Sequence, residues 1–441
     1  MAADRAAGRA PSGTLANDLR AAGVHTLLLQ FTDIEGVAKG KLLPLAQLDA
    51  VLAEGAGFAG PSIVGTGLPR TGPRSEFWAR GDAATALPLP WWPGVARLVG
   101  DGFVDGEPFE ACPRQVLRRQ VARLAARGWR LEVGLEPEFF LLRRDPWRPA
   151  DPLDRLDRPS YDLKSLPRQA PFLTDLHEAL AACGFTLLQT DHEDAHGQYE
   201  VNFAHADVLR SADRLMLFKL AAQAIAERHG LVFSMMPKPF ADLPGSGLHV
   251  HASLWEGTGD ETAGRSRHDA LPAFIAGVLA HAAGLAALAA PTVNSYKRLA
   301  AGGSRSGTTW APVHVAHGPN NRTALVRTLP GRFEWRLPDS AANPYLACAG
   351  LIAAGLDGVD RGLPLPPAVE ADLYETAPPP GTPRLPHTLD AACDALEADA
   401  VLTTALGAVA TTEFLRLKRA EHAEWAAHVG DWERARYAER F

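Results

Sequence analysis

The chain has 441 residues, of which 46% are hydrophobic and 22% are charged, a composition typical of a folded, water-soluble protein with more than one domain. Its net charge of −7 provides no basic surface, so nucleic acid is not an expected partner. No CxxC pair occurs, which argues against a zinc site or a disulfide framework; the four cysteines are Cys112, Cys183, Cys348 and Cys393.

The N-terminal segment, MAADRAAGRAPSG, lacks the continuous apolar core of a signal peptide. The alanine-rich run from Phe274 to Ala290 contains His281 and is short for a bilayer, so it is predicted to be one buried helix. We therefore expect a cytoplasmic protein that does not associate with a membrane.

The first part of the chain is predicted to begin with a loose tail over residues 1–17. The segment HTLLLQFTDIEGVAKGKLLP follows as two strands around a turn from Asp33 to Gly36. Residues 55–93, rich in Gly and Pro, are predicted to be loop with short strands, and residues 101–113 to be a linker.

A domain boundary is therefore expected near residue 110. It separates a small N-terminal domain, residues 18–110, from a large domain, residues 111–441. In the large domain, Pro113 to Gly128 and Thr411 to Phe441 are predicted to be helical.

Polar and apolar residues alternate in four strand-like segments of the large domain, LEVGLEPEFFLL, YEVNF, GLHVHASLW and GRFEWRLPD. Residues two apart share one face of a strand, so the polar residues of each segment lie together. These residues are Glu136, Glu138, Glu200, Asn202, His249, His251, Ser253, Arg332, Glu334 and Arg336. A half-solvated antiparallel sheet would give the same alternation in any single strand.

The residue types on the four strands indicate a metal site. Glutamates gathered on one surface repel one another unless a metal ion or an arginine neutralises them. Oxygen ligands with one imidazole suit Mg²⁺ or Mn²⁺ better than zinc. Further arginines, Arg298, Arg322 and Arg327, suit carboxylate and phosphate groups. The combination predicts phosphoryl transfer.

A second motif, His192-Glu193-Asp194-Ala195-His196, matches the HExxH pattern of zinc peptidases. That chemistry needs both histidines on one face of a helix. Here the motif lies between two strand-like runs and is followed directly by Gly197, so a peptidase is the disfavoured alternative.

Taken together, these segments resemble the glutamine synthetase family over nearly the whole chain. The matching stretches, in the family's order, are GLEPEFFLL, HEDAHGQYEVNF, MMPKPF, GSGLHVHASLW, PTVNSYKRL, NNRTALVR, GRFEWRLPDSAANPYL and AAGLDG. FTDIEGVAKGKLLP, followed by GFAGPSI, is a looser match to the family's N-terminal domain. The resemblance implies an α+β fold: a small β-grasp domain, then a large catalytic domain with a curved antiparallel sheet flanked by helices.

The resemblance also implies roles for individual residues in metal and ATP binding. One metal ion would be held by Glu138, Glu193 and Glu200. A second ion, which bridges the phosphates of ATP, would be held by Glu136, His249 and Glu334. Contacts to the nucleotide and its phosphates would come from His251, Ser253, Arg327 and Arg332.

The implied glutamate site would consist of Glu138, Gly245, Arg298, Arg322 and Arg336. Arg322 would stabilise the phosphoryl group during transfer, and Arg336 would hold a carboxylate of glutamate. Glu193 is the candidate group for removing a proton from the amine.

The implied reaction consumes ATP and needs two or more Mg²⁺ or Mn²⁺ ions in each site. The side-chain carboxylate of glutamate attacks the terminal phosphate of ATP, which gives γ-glutamyl phosphate, and an amine then displaces phosphate. Family members form rings, typically two stacked hexamers, with each site between the large domain of one subunit and the small domain of its neighbour. A homododecamer is therefore expected.

The sequence departs from the family's pattern chiefly at positions that usually bind the ammonium ion. Ala59 stands where the family usually has an aspartate, and the flap that usually supplies a glutamate is longer here, AAGGSRSGTTW, ending at Trp310. Pro244 stands where the family often has asparagine. Ala59, Ser62 and Trp310 are therefore predicted to line a small apolar pocket, although Trp310 would equally serve to order the flap.

The stretches SGTTWAPV and NNRT resemble the branch of the family that contains the γ-glutamylmethylamide synthetases and their type III glutamine synthetase-like relatives, so methylamine is the preferred amine. Ammonia or another short amine is the alternative substrate. A family member that binds amine or nucleotide without catalysis is the alternative from a different class.

Overall fold

Two β-sheets organise the chain in a computed structural model that describes residues 12–257, 266–300 and 304–441. The N-terminal sheet contains β1 (Thr26–Thr32), β2 (Ala38–Pro44), β3 (Ala56–Ala59), β4 (Glu76–Pro88), β5 (Val95–Val104) and β6 (Glu107–Pro108). The larger sheet contains β7 (Trp129–Arg143), β8 (Arg148–Pro149), β9 (Leu187–His192), β10 (Gln198–Phe203), β11 (Ala206–Asp207), β12 (Val232–Ser234), β13 (Leu248–Glu256), β14 (His317–Pro319), β15 (Val326–Leu329) and β16 (Arg332–Trp335).

Helices of the described residues cover both sheets and form the C-terminal end of the fold. They are α1 (Ser12–Ala21), α2 (Leu48–Ala53), α3 (Pro113–Ala125), α4 (Ala170–Ala182), α5 (Val208–Arg228), α6 (Leu271–Ala280), α7 (Ala282–Ala289), α8 (Ser295–Arg298), α9 (Pro344–Asp360), α10 (Leu389–Ala398), α11 (Ala400–Leu406), α12 (Ala408–Ala427) and α13 (Asp431–Tyr437). The mixture of helices and sheets confirms the α+β fold class. Helices predicted from Pro113 and toward the C-terminus are present as α3, α12 and α13.

The N-terminal sheet has the strand order β2-β1-β5-β4-β3, with β6 added to β5. Its strands β1 and β5 are parallel and the neighbouring pairs are antiparallel. The predicted turn after β1 is confirmed: the Asp33 side chain accepts hydrogen bonds from the backbone N–H groups of Glu35 and Val37, and Gly36 has a φ of +82°. The inward face of β1 is apolar, and Phe31 packs against Phe58 and Phe77.

Three predictions for this part of the chain were wrong. Residues 12–17 of the predicted tail belong to α1; residues 1–11 lie outside the described residues. The predicted loop contains the long strand β4, and the predicted linker begins within the central strand β5. Glycine is the reason for the error, because Gly81 and Gly100 face each other in the ladder, where a Cβ on Gly81 would lie 2.3 Å from Leu98.

The larger sheet has the strand order β14-β15-β16-β13-β7-β10-β9, and β7 also pairs with β8, β11 and β12. Its ladders are antiparallel except for the edge pair of β14 and β15. β7 has fifteen residues and pairs with five other strands. Helices α3 and α5 pack against it. The side of β7 that carries Leu131, Val133 and Leu135 is buried under these helices.

Arg114 of α3 links the N-terminal sheet to α5, a helix that packs on the larger sheet. Its guanidinium donates to both carboxylate oxygens of Asp213 on α5, at 2.9 and 2.8 Å, and also to Asp82 of β4 and Asp101 of β5. Only 3% of Arg114 is exposed, so these charge-assisted hydrogen bonds satisfy a cation that is buried between the N-terminal sheet and α5.

The alanine-rich run predicted as one helix forms two helices, α6 and α7, bent by 78° at His281. The bend brings His281 between two carboxylates: Nδ1 lies 2.6 Å from Asp399 and Nε2 lies 2.9 Å from Asp357. Asp357 also accepts from Arg361, and Asp399 caps α11. With both ring nitrogens facing carboxylates, the imidazole is held in its protonated form, and it links four helices.

Among the described residues, no single helix has the length and hydropathy of a membrane span, although two bent pairs of helices reach that threshold together.

We expect His281→Gln to lower the free energy of unfolding by about 2 kcal/mol at pH 6, and by less at pH 9. Burial alone lowers the pKa of His281, but the hydrogen bonds to Asp399 and Asp357 outweigh it and the pKa is raised. The imidazolium therefore stabilises the fold fully below its ordinary pKa of about 6.5, and this contribution is lost as pH rises through the higher folded value. Urea unfolding followed by circular dichroism at both pH values measures the difference.

The matched control is His428→Gln, because His428 is exposed beyond α12. An equal loss of stability at pH 6 and pH 9 in His281→Gln would contradict the charged state assigned to His281.

Candidate active site

The four polar strand faces predicted from the sequence lie side by side, in the order β16-β13-β7-β10. The register places Glu334 opposite His251, His249 opposite Glu136, and Glu138 opposite Glu200. Directly opposed residues point to the same face of a sheet, so acidic and imidazole groups from four strands meet on one surface.

Two overlapping groups of side chains on this surface can hold metal ions. Glu136, His249 and Glu334 form one group, and Glu138, Glu200 and His249 form the other. In each group the ligand atoms lie within 4.8 Å of one another. His249 is suited to a cation, because burial and the nearby Arg336 lower its pKa well below the ordinary value and its Nε2 has no hydrogen-bond partner among the described residues.

The electrostatics of the carboxylates differ across this surface. Burial, together with neighbouring carboxylates, raises the pKa of Glu193 to about 8 and that of Glu200 well above its ordinary value. Burial also raises the pKa of Glu138. In Glu334, burial acts in the same direction, but the charge of Arg336 outweighs it and the pKa falls to about 2. A divalent cation would neutralise the first three carboxylates, whereas Glu334 is already paired with arginine.

Hydrogen bonds fix the orientation of the ligand groups. Glu138 accepts from the side chain of Gln198 at 2.9 Å and from the backbone N–H of Gly247 at 2.7 Å. Glu200 accepts from Asn202 at 2.8 Å. Arg336 donates to Glu334, and so does Arg327, at 2.9 Å. The carboxylates are therefore pre-oriented by neighbours on the same sheet.

Gly247 was not identified from the sequence, although a side chain at its position would displace groups of the site. A Cβ at this residue would lie 2.8 Å from His249, 2.9 Å from Arg298 and 3.2 Å from Glu138. The signal was the segment GSGLHVH, in which a glycine directly precedes the ligand strand. A residue without a side chain therefore lets these three groups keep their positions.

A cavity of about 790 Å³ lies over the ligand surface. It is lined by most of the predicted site residues, namely Glu136, Glu138, Glu193, Glu200, Gly245, His249, His251, Trp310, Arg322, Arg327, Arg332, Glu334 and Arg336. Four predicted residues do not line it, namely Ala59, Ser62, Ser253 and Arg298. Volume and polar lining are suited to a ligand with several charged groups.

The structure gives different positions to the four residues that lie off the cavity surface. Arg298 is buried behind Gly245, where its guanidinium donates to the backbone carbonyls of Arg336 and Leu337. Ser253 lies further along β13, where its hydroxyl accepts from the indole of Trp255. Ala59 is exposed at the end of β3 in the N-terminal sheet, and Ser62 is exposed just after it.

The arginines and the histidine predicted to contact ATP line the cavity from the neighbouring strands β13, β15 and β16. His251 approaches Glu136 at 3.1 Å through Nε2 and accepts from Arg332 at 3.3 Å through Nδ1. Arg327 is oriented by Asn320, a residue with a φ of +49°. Arg322 is exposed in the cavity and forms no ion pair with another described residue.

Trp310 lies at the edge of the cavity with a φ of +55°, which is unusual for a bulky residue. Its indole N–H donates to Asp194 at 2.9 Å, and its carbonyl accepts from Arg336 at 3.2 Å. Two other cavity residues that sequence reasoning missed are Ser160, which donates to Asp194, and Tyr161, with a φ of +64°. Residues 301–303 of the predicted flap lie outside the described residues.

The HExxH motif is not a zinc-peptidase site. His192 ends β9, and the motif continues as the turn into β10 instead of a helix. His192 is fully buried and lies 2.8 Å from Asp154, whereas His196 lies 2.7 Å from the carbonyl of Leu156. The two histidines therefore have separate structural partners, while Glu193 and Asp194 between them line the cavity.

Comparison of the sequence with known proteins identifies the family that it resembles. Residues 110–437 match the sequence family described as the glutamine synthetase catalytic domain. A glutamate–methylamine ligase of Methyloversatilis universalis is 44% identical over 95% of this chain and 97% of its own length. A glutamine synthetase of Rhizobium leguminosarum bv. phaseoli is 39% identical over 95% of this chain and 98% of its own length.

Solved structures of GmaS are also similar to this chain. A complex of GmaS with ADP has a TM-score of 0.90 and 39% identity, covering 96% of this chain and 99% of that chain. GmaS without ligand has a TM-score of 0.89 and 38% identity, with the same coverage.

We expect Glu200→Gln to raise the melting temperature of the metal-free protein by about 2 °C and to reduce its stabilisation by Mn²⁺. A carboxylate whose folded pKa is raised destabilises the fold at every pH above its ordinary pKa of about 4.3, so removing this charge relieves repulsion at neutral pH. Differential scanning fluorimetry in EDTA and in Mn²⁺ measures both effects.

Glu397→Gln provides the control, because Glu397 is paired with Arg419 on the surface. A Glu200→Gln protein that melts below the wild type in EDTA would show that the Glu200 carboxylate is not under electrostatic repulsion.

Proposed function

Because the chain belongs to the glutamine synthetase family, we propose that it is an ATP- and divalent-metal-dependent ligase that joins the side-chain carboxylate of glutamate to methylamine. The observation that carries this proposal is the pair of groups on adjacent strands that can hold metal ions, facing a cavity lined by five arginines. Carboxylates, imidazole and guanidinium groups in this arrangement are suited to phosphoryl transfer.

Two Mg²⁺ or Mn²⁺ ions would be held by this site. Glu136, His249 and Glu334 would hold one ion, and Glu138 and Glu200 would hold the other together with Glu193. When bound, the ions neutralise the phosphates of ATP and the charge that develops on the transferred group. The donor set fits such ions, because carboxylate oxygens predominate and the imidazole is neutral.

ATP would bind beside His251, Arg327 and Arg332. Both arginines are already oriented, Arg327 by Asn320 and Glu334, and Arg332 by His251. Ser253, two residues after His251 on the same face of β13, would contact the nucleotide through its hydroxyl group. Pre-oriented guanidinium groups bind phosphate oxygens at a smaller entropic cost than mobile ones.

Glutamate would lie deeper in the cavity, near Gly245, Glu138 and Arg336. Arg298 would act from behind this surface, since it contacts the backbone at Arg336 and lies against Gly245. Arg322 is an exposed cation in the cavity and would stabilise the phosphoryl group as it passes from ATP to the glutamate carboxylate. The product of this step is γ-glutamyl phosphate, in which phosphate is a leaving group.

The amine would then attack the γ-carbonyl carbon and displace phosphate. Glu193 is a candidate for accepting the proton that the amine loses, because it lines the cavity beside Asp194. Methylamine is favoured by the likeness to glutamate–methylamine ligase and by the indole of Trp310 at the cavity edge. Ammonia is the second candidate, because glutamine synthetases are nearly as similar to this chain.

The active assembly would be a ring, and a dodecamer of two hexamers is proposed. Ala59 and Ser62 support shared sites, because both are exposed on the N-terminal sheet and neither lines the cavity of its own chain. In a ring they would line the site of the neighbouring subunit. A cytoplasmic location is part of the same proposal.

Purified protein with ATP, glutamate and Mg²⁺ or Mn²⁺ should form γ-glutamylmethylamide when methylamine is added. We expect kcat/KM for methylamine to exceed that for ammonia by at least about tenfold, since one methyl group in an apolar pocket has this effect. Mass spectrometry identifies the product, and an ADP-coupled assay gives the rates with methylamine, ethylamine and ammonia.

Glu136→Gln should lower kcat at least about 100-fold by removing a metal ligand, whereas Glu397→Gln on the surface should not. A preference for ammonia would replace methylamine by the second candidate. Absence of product and of ADP with every amine would favour a binding role without catalysis.

Ala59→Asp should lower the ratio of kcat/KM for methylamine to that for ammonia about tenfold, because a carboxylate in the neighbour's pocket favours the smaller, more strongly hydrated ammonium ion. The control is Ala53→Asp, an exposed alanine at the end of α2. The same change in both variants would argue against a shared site.

A further inference from the structure

The segment of residues 304–311, here called the flap segment, is attached to the body of the protein at several points. Arg305 donates to Asp242 through its backbone N–H at 2.7 Å and through its guanidinium at 2.9 Å. Arg158 donates to the carbonyl of Ser306 at 3.0 Å, and Tyr374 donates to the carbonyl of Ala311 at 3.1 Å. These contacts bring the segment over the cavity.

Within the flap segment, Trp310 has a backbone conformation that bulky residues rarely adopt. A φ of +55° is unfavourable for a residue with a large side chain and persists only where surrounding contacts hold it. Two contacts with residues outside the flap segment do so: the indole N–H donates to Asp194, and the carbonyl accepts from Arg336. Since 38% of Trp310 remains exposed, packing alone does not fix the ring.

Asp194 is built to receive this hydrogen bond. It is 6% exposed, and its two carboxylate oxygens have different donors: Ser160 at 2.9 Å on one and Trp310 at 2.9 Å on the other. It follows Glu193 in the turn between β9 and β10. The position of the indole is thereby tied to the turn that carries a cavity carboxylate, and not only to the rest of its own segment.

We propose that Asp194 is a positioning residue that holds the indole of Trp310 as a wall of the amine subsite, and that this contact sets the preference for an alkylamine over ammonia. The inference rests on the proposed function. A fixed ring offers its face to the methyl group of methylamine, whereas ammonia has no apolar group that would gain from the contact. A ring released from Asp194 would offer no defined surface.

The inference is tested with Asp194→Ala, Trp310→Phe and the double variant. Phenylalanine keeps an aromatic ring but has no N–H to donate. We expect each single substitution to lower the ratio of kcat/KM for methylamine to that for ammonia about fivefold, the effect of losing one hydrogen bond. The double variant should show the same ratio as the single variants, because both remove one shared contact.

Two further variants separate positioning from general damage. Asp194→Asn keeps an oxygen acceptor for the indole and should keep the wild-type ratio. Asp242→Ala removes a side-chain anchor of the flap segment that does not touch Trp310, so it should leave the ratio unchanged. Changes in metal or nucleotide binding affect both amines and cancel in the ratio.

An unchanged ratio in Asp194→Ala would overturn the inference. So would a double variant whose loss is the product of the two single losses. A wild-type protein that turns over neither amine would overturn the proposed function instead, and that result is distinguishable because it appears before any substitution is made.

Discussion

The register of β7 with its two neighbours is the constraint on which the site depends. β7 pairs with β13 on one side and β10 on the other, and these pairings place His249 opposite Glu136 and Glu200 opposite Glu138. Side chains alternate with a period of two, so a slip of one residue would turn the ligands of one strand toward the helices. Burial of Leu131, Val133 and Leu135 on the other face of β7 opposes such a slip, because the same shift would expose them. The core therefore fixes the geometry of the polar surface.

The same arrangement stores electrostatic repulsion in the folded protein. Glu138, Glu193 and Glu200 have raised pKa values because they are crowded and shielded from water, and the adjacent Glu334 is relieved of this by Arg336. Such a surface lowers the stability of the fold at a site that binds a ligand. Active sites commonly show this trade-off between stability and function. Strained backbone at Tyr161, Trp310 and Asn320 belongs to the same pattern, since each residue lines the cavity or orients an arginine in it.

Much of this could be predicted from the sequence, because alternation with a period of two is visible in single segments. Glu136 with Glu138 and His249 with His251 were assigned to shared faces in this way, and the α+β class followed from the family resemblance. The order of the strands was not visible, since pairing joins segments that are far apart in the chain. The Gly- and Pro-rich composition of residues 55–93 predicted a loop, although Gly81 lies within β4, where its lack of a side chain makes room for Leu98. His281 was read as part of one helix because its two carboxylate partners are remote in sequence. The contact of Asp194 with Trp310 was missed for the same reason.

Arg114 has a consequence for how the protein could be recombined with its relatives. Its guanidinium is shared by Asp82 and Asp101 of the N-terminal sheet and Asp213 of α5, a helix that packs on the larger sheet. A chimaera joined between β6 and α3 would therefore inherit this buried cation from one parent and two of its three counter-ions from the other. Any parent that lacked acids at those positions would leave an uncompensated charge in the interior. Exchange of domains at this junction is therefore limited by a single side chain, although the junction lies at the boundary between the two domains.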